Sequence, residues 1–430
     1  QWAAIQDRDL TEADISGLFW LNLKLNLAVL VFMAAMAPVL AWFYDEPALT
    51  AVTMATAIGF MVHGVSYQHQ SLLKRRMRFG SFTGVEVGSQ AVGAAAGISG
   101  ALAGFGYWAL VAQALAIAFV TAGGMWWVSG WRPLAPGESS VPTDIGRLLN
   151  YGKYTTAYRV LTHLGGNLDN ILVGYLLGAR QVGLYSKAYK WAHMPVTQIY
   201  NPLMAVAVSS FSRVSDDPER YRRFVRRGLL PIFAIPLPAL AFLFVEAERS
   251  ILLLLGDQWL AAVPYFRILC VGAALGSLDK VMKWLYLSEG NTRRQFRWGL
   301  VKTPVLILGV SLGVRWGALG VAVGYAAANA LLALPAVAYC TAGSLLRFSD
   351  VLRTLWRPVA GAVVAAAGLA SLEPLLPDSG LVGAVLIRLA SFALLYLGTW
   401  IALPGGLDDL REIVTRLRIG MVGDRMENSE

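Results

Sequence analysis

Apolar residues run along this chain in long blocks. Breaking the sequence at its charge clusters and Gly/Pro turns leaves twelve of them, roughly 16–44, 48–72, 80–103, 106–129, 146–177, 182–211, 228–254, 259–288, 299–314, 316–344, 356–375 and 380–403. A membrane-crossing helix needs about 20 mostly apolar residues, so the pattern predicts helices that span a bilayer. The blocks are long and show no strand-like alternation of the sort a transmembrane barrel requires. Small residues such as those in "AVGAAAGISGALAG" predict close helix packing.

The polar gaps between the blocks alternate in character. One set carries Lys74, Arg75, Arg76 and Arg78; then Arg132 and Arg147; then Arg213, Arg220, Arg222, Arg223, Arg226 and Arg227; then Arg293, Arg294 and Arg297; then Arg347 and Arg353; and finally the tail with Arg411, Arg416, Arg418 and Arg425. The other set, "YDEP", "GFG", "LGARQVG", "LGDQ", "VRWG" and "EPLLPDSG", holds only Arg180 and Arg315. Short loops rich in Lys and Arg stay cytoplasmic. This places the basic gaps and the C-terminus inside, and it leaves only short loops outside, none large enough for an active site.

Composition agrees with this reading. The chain has 430 residues, 56% of them hydrophobic and 15% charged, against roughly 25% charged in soluble domains. A net charge of +9 suggests nucleic acid at first, but the cations fall in short clusters between apolar runs, which is the signature of membrane topology. Cys270 and Cys340 lie in apolar runs without a CxxC, and they read as buried thiols. His63, His69, His163 and His193 form no metal-binding cluster, and there is no nucleophile triad, phosphate-binding glycine loop or dinucleotide fingerprint. The residues therefore predict no catalytic group, no metal and no cofactor. The opening "QWAAIQDRDLTEAD" is not a signal peptide and reads as a loop entered in mid-protein.

Three stretches recur in order. "DEPALTAV" from Asp45 matches "DQWLAAV" from Asp257, "RRMRFG" from Arg75 matches "RRQFRWG" from Arg293, and "GYWALVA" from Gly106 matches "GALGVAV" from Gly317, at offsets of 212, 218 and 211. Both copies run the same way through the membrane, so the repeat is parallel with its axis along the normal. By this repeat, the counterparts of 146–177 and 182–211 would precede residue 1. The expectation is an all-α integral membrane protein with twelve spans here and about fourteen in a longer chain. Its parts are an N-terminal lobe at 1–143 lacking its first two helices, a six-helix lobe at 144–345, a trailing helix pair at 346–405 and a cytoplasmic tail at 406–430.

Several stretches carry a resemblance. "NLDNILVGYLLGARQVGLYSKAY" from Asn167 to Tyr189, "QIYNPLMAVAVSSFSRVSDDPERYRR", "GDQWLAAVPYFRIL", "WLYLSEGNTRRQFRWG" and "SLLKRRMRF" resemble the Wzx-like polysaccharide flippases of the multidrug/oligosaccharidyl-lipid/polysaccharide exporter superfamily. The resemblance covers nearly the whole chain and says little about the substrate. It implies transport, not catalysis. The cargo would be an undecaprenyl-diphosphate-linked oligosaccharide, moved from the cytoplasmic to the periplasmic leaflet of the bacterial inner membrane for O-antigen, capsule or exopolysaccharide synthesis. A V-shaped cavity between the lobes would shelter the head group during alternating access. Implied partners are the glycan-lipid, membrane lipid, and a glycan polymerase with its assembly proteins, but no nucleic acid. One departure is Tyr175, a position where relatives often carry a basic residue.

Charges inside membrane helices are costly and normally face protein or water. On 146–177, Thr155, Arg159, His163, Asn167 and Asn170 form one polar stripe. On 182–211, Lys187, Lys190, Gln198 and Asn201 form another, and Lys280 and Lys283 share a face at i, i+3. With Lys24, these cations and amides are the candidate substrate-binding set: Arg159, His163, Asn167, Asn170, Lys187, Lys190, Lys280, Lys283 and Lys24 would attract a diphosphate and bind sugar hydroxyls. The alternative for each cation is snorkelling or structural pairing. Asp169 and Glu86 are candidates for ion coupling, with structural pairing and an interfacial position as their respective alternatives. His163 and His193 read as satisfied polar residues more readily than as proton relays. A multidrug or small-molecule antiporter on the same fold is the competing function, although such a cavity would favour acidic and aromatic walls for cationic drugs.

Overall fold

A computed structural model describes residues 11–136, 145–212, 218–289, 291–342, 344–377 and 380–411; at 145–162, 164–165, 201–212, 218, 220, 227, 287 and 292 only the backbone is described. Helix occupies each of the predicted blocks. Thr11 and Asp14 close a capping box at the start of α1, Glu12–Tyr44, and Asp45 ends it in the left-handed conformation at φ 52°. There follow α2 (Ala48–Arg75), α3 (Phe79–Leu102) and α4 (Trp108–Ser129). The long α5, Ile145–Ser212, breaks at Gly178, where φ is 84° and ψ is 173°. Only glycine adopts that conformation readily. The two arms, 145–177 and 179–212, match the two adjacent predicted blocks.

The block predicted at 228–254 is divided. It becomes α6 (Pro218–Ala234), α7 (Pro236–Val245) and α8 (Ala247–Leu255). Pro236 interrupts the ladder of backbone bonds at the first junction. A 3-10 turn, Asp257–Ala262, leads into α9 (Val263–Ser288), followed by α10 (Thr292–Gly313), α11 (Gly317–Thr341), α12 (Phe348–Leu372) and α13 (Gly380–Ala402). Helices α10 and α12 begin seven or eight residues before their predicted blocks, so the basic segment "TRRQFRWG" is itself helical. Eight stretches among the described residues are long and apolar enough to cross a membrane, one of which, Arg293–Thr341, takes in α11 and nearly all of α10. The protein is therefore a multi-pass membrane protein.

The chain forms two compact units, 1–162 and 163–430. In the first, α2 packs on α1 and α4, and α3 packs on α4. Glycine permits the α3–α4 approach, since a methyl at Gly100 would meet Ala109 at 3.2 Å. The core near the basic loop surrounds the fully buried His69 with Phe19, Trp126 and Trp131, and its Nδ1 lies 2.7 Å from Ser129 Oγ.

In the second unit, α9 and α10 both pack on α11. Lipid tails supply no hydrophobic drive between helices, so close backbone contact must do more. Gly309 and Gly313 on α10 face Gly324 and Gly320 on α11, and a methyl at Gly309 would lie 2.7 Å from the Gly324 carbonyl oxygen. Cys270 and Cys340 are buried and unpaired in the core of this unit. Helices α12 and α13 pack on each other, and α12 also lies against α6 and α7. The Tyr396 hydroxyl donates to the Ala234 carbonyl at 2.8 Å, and Arg388 Nε sits 3.6 Å from Glu246 Oε1, with both ions buried.

Candidate functional site

Both arms of α5, together with α9, α10 and α11, contribute to a pocket inside the second unit. Glycine opens it: Gly166 and Gly276 line the wall, and a methyl at Gly276 would meet Asn329 Oδ1 at 2.8 Å. The cavity holds about 160 Å³, and its polar wall is Asp169, Tyr189, His193, Lys280, Lys302, Tyr325 and Asn329.

Each group is held by its neighbours. Asp169 is buried; its Oδ2 accepts from the Tyr185 hydroxyl at 2.8 Å and its Oδ1 from the Asn170 backbone at 2.9 Å. His193 stacks on Tyr189, with ring centroids 3.9 Å apart. Its Nδ1 lies 2.9 Å from the Tyr189 carbonyl oxygen, and its Nε2 lies 3.0 Å from the Tyr325 hydroxyl. The Asn329 amide donates to the Tyr325 carbonyl at 2.9 Å. Behind the wall, Asp279 is saturated: Trp298 Nε1 donates to Oδ1 at 2.6 Å, and Lys302 pairs with Oδ2. Lys280 differs. Among the described residues no carboxylate oxygen lies within 4.0 Å of its Nζ, although Lys302 and Asp279 act on it through their charges.

The structure brings together two of the predicted site residues, Lys280 and Asp169. Asn170 contacts Asp169, but its own Oδ1 is buried without a partner among the described residues. Asn167 caps back onto the His163 carbonyl at 2.8 Å, and His163 is exposed. Lys187 and Lys190 are exposed away from the pocket wall, the former 5.9 Å from the Trp259 ring. Lys283 is exposed too, although it shares a helix with Lys280. Lys24, exposed, and Glu86, half-buried, belong to the first unit. The Arg159 side chain lies outside the described residues.

Sequence reading misses Lys302, Asp279, Tyr189, Tyr325 and Asn329. For the first two a signal exists, because both charges fall inside predicted spans, where an ion is a functional candidate by default. The tyrosines and Asn329 give none, since local spacing does not show that helices distant in sequence enclose a cavity beside them. His193 is the satisfied polar side chain that the sequence suggests, hydrogen-bonded at both nitrogens, and it also faces the cavity.

Comparison with known proteins points the same way. Teichuronic acid biosynthesis protein TuaB of Bacillus subtilis (strain 168) is 27% identical over 329 residues, covering 72% of this chain and 64% of that protein. Lipopolysaccharide biosynthesis protein WzxC of Escherichia coli (strain K12) is 23% identical over 325 residues, covering 75% and 65%. Succinoglycan biosynthesis transport protein ExoT of Rhizobium meliloti (strain 1021) is 25% identical over 316 residues, covering 71% and 61%. The chain thus spans slightly less than two thirds of the length of these relatives. Its fold is similar to that of Lipid II flippase MurJ in an inward closed conformation, with a TM-score of 0.68 at 12% identity over 90% of this chain and 83% of that one. A family model described as "Polysaccharide biosynthesis protein" matches residues 1–264. On that match, which covers more than half of its residues, the chain belongs to the polysaccharide biosynthesis protein family.

Proposed function

We propose that this protein is a flippase that carries undecaprenyl-diphosphate-linked oligosaccharide from the cytoplasmic to the periplasmic leaflet by alternating access. The observation that carries the reading is Lys280: an intramembrane cation on a cavity wall with no carboxylate in contact among the described residues. Ions in spans are expensive and concentrate on transport paths, and an ammonium free of a fixed counter-ion suits a passing diphosphate. The pocket, at about 160 Å³, is too small for an oligosaccharide, so it would border the path without enclosing the head group. The relatives are named for the biosynthesis of different polysaccharides and one for transport, while the solved neighbour is named for flipping Lipid II. What such cargoes would share is a lipid carrier.

The architecture in this reading is two six-helix lobes, a trailing pair at 346–405 and a cytoplasmic tail at 406–430, with twelve of about fourteen spans present here. Two features support the repeat. The helix pairings α2–α4 and α3–α4 recur as α9–α11 and α10–α11. The matched glycines Gly106 and Gly317 both take positive φ, 54° and 73°, at the turns that open α4 and α11. The test is glycan export, normalised to folded protein, in a strain lacking its own flippase and supplied with a full-length chain. Arg159→Ala and Lys280→Met should each lower export with insertion intact, and Arg159→Lys should restore only part, because lysine lacks the bidentate fork. Export at the wild-type level from both neutral variants would remove this surface from the substrate path.

A further inference from the structure

A second cavity of the same unit opens on the membrane side of α10 and α11. It is an apolar groove of about 620 Å³, and it shares no wall residue with the polar pocket. Its floor is the glycine contact between the two helices, which leaves no side chain to fill the space above. Leu308, Val323 and Leu331 on its walls are at least half exposed. Both helices belong to a stretch that crosses the membrane. A gap there forfeits dispersion contacts along its walls, and an apolar gap stays dry, so an apolar chain has to fill it. Length separates a lipid tail from a neighbouring helix. The groove follows α11 from Leu319 to Leu331, about 18 Å at 1.5 Å per residue. That is close to one leaflet, half of a hydrocarbon core about 30 Å thick. On α10 it ends at Val305, and the part of that helix toward Thr292 lies outside it. A spanning partner helix would need the full depth.

One end of the groove is polar. Arg315 and Trp316 stand in the 3-10 turn, Val314–Trp316, that joins α10 to α11. Trp316 lines the groove and is 73% exposed. Arg315, exposed beside it, is one of the two basic residues in the otherwise uncharged or acidic set of gaps. No Asp or Glu occurs between Glu289 and Asp350, and Arg315 has no ion pair among the described residues. Tryptophan and arginine are the side chains that mark a membrane interface.

We propose that this groove binds one acyl chain of an anionic glycerophospholipid, in the leaflet opposite the basic gaps, with the headgroup phosphate on Arg315. The guanidinium donates to the phosphate oxygens, a bidentate geometry that arginine is built for, and Trp316 packs against the top of the chain. A zwitterionic headgroup carries an ammonium of its own that competes with Arg315 for the phosphate, so a net negative headgroup is preferred. A groove one leaflet long suits an ordinary acyl chain, and the much longer undecaprenyl chain would overrun it. The lipid is thus a fixed companion of the protein, distinct from its cargo. The same two helices carry Lys302 and Tyr325 of the polar pocket, so the bound lipid rests on the helices that wall it.

The test uses the full-length chain in phosphatidylcholine nanodiscs containing a trace of phosphatidylglycerol with a photoactivatable diazirine on one acyl chain. Cross-linked peptides are mapped by mass spectrometry. Labelling should concentrate on residues 305–331, and added phosphatidylglycerol should compete roughly fivefold better than phosphatidylcholine, the effect of one basic residue at a charged membrane surface. Arg315→Gln should keep the labelling and lose that preference. Val323→Trp, which fills the groove from a half-exposed position, should lose the labelling itself. Neither side chain is part of the core, and unchanged thermal unfolding of each variant separates lost binding from lost folding. Labelling spread evenly over the lipid-facing helices, or an unchanged preference in Arg315→Gln, would overturn the proposal. So would undecaprenyl phosphate competing better than phosphatidylglycerol, which would give the groove to the cargo. A disulfide between two copies through Val323→Cys would overturn it as well, because a second copy of the chain would then cover the groove.

Discussion

The pair formed by Asp279 and Lys302 allows a quantitative test of how the pocket is held. The two side chains join α9 to α10, with Trp298 Nε1 donating to the second carboxylate oxygen at 2.6 Å. Opposite charges at about 4 Å attract by about 4 kcal/mol at an effective dielectric constant of 20. Lys302 and Asp279 retain 31% and 17% of their side-chain exposure. Screening and the cost of ordering the side chains therefore reduce the attraction, and a coupling of about 2 kcal/mol follows. Asp279→Asn and Lys302→Met should each destabilise by about 2–3 kcal/mol, because each leaves an ion without its partner. The double variant should cost about 2 kcal/mol less than the sum. The singles should also differ. Lys302→Met leaves Lys280, the adjacent residue on α9, to compensate Asp279, whereas Asp279→Asn leaves two ammonium groups in one cavity, so the asparagine variant should be the weaker protein. The assay is equilibrium unfolding in mixed detergent micelles, read by a thiol-reactive dye. Cys270 and Cys340 are the chain's two cysteines, and both are buried in this unit. A coupling below about 0.5 kcal/mol would refute the ion-pair argument and leave Trp298 as the main partner of Asp279.

Two other outcomes follow from packing and topology. Gly309→Leu should destabilise by at least about 2–3 kcal/mol in the same dye assay, because its side chain meets the α11 backbone. Gly299→Leu, whose Cβ would meet nothing nearby, should not. Cysteines introduced beside Arg76 or Arg294 should be shielded from a membrane-impermeant thiol reagent in intact cells, while one beside Asp257 is labelled; labelling in the reverse sense would invert the membrane orientation.

Much of the helical architecture was legible because the membrane imposes it. A backbone in lipid must satisfy its polar groups internally, so apolar length alone marks helices. Gly178 shows the precision possible where a break is encoded locally: two adjacent apolar blocks meet at a glycine with a φ of 84°. Other residues do not adopt that angle readily. The block at 228–254 shows the opposite case. Its hydropathy is continuous, yet Pro236 and the buried Glu246 divide it. Glu246 is held there by Arg249, three residues on, at 3.1 Å and by Arg388, on the distant helix α13, at 3.6 Å. The local sequence contains the first of these contacts but not the second.

The same distinction governs the pocket. Helical spacing correctly lists which residues share a face, but it cannot say which face is met by what. Lys280 and Lys283 share one by spacing, and yet the first lines a cavity while the second is exposed, because α10 and α11 close over only part of α9. Asp279 and Lys280 are neighbours in the sequence, but adjacent residues on a helix do not face each other. In the fold, Asp279 is taken by Lys302 and Trp298, and Lys280 is left on the cavity wall without a carboxylate in contact among the described residues. That exchange of partners is what the proposed role of Lys280 rests on. The residue that decides it is Lys302, and its substitution should therefore alter the behaviour of Lys280 without touching it. If Lys302→Met left glycan export, normalised to folded protein, unchanged, the cation at Lys280 would not depend on the pairing that the fold displays.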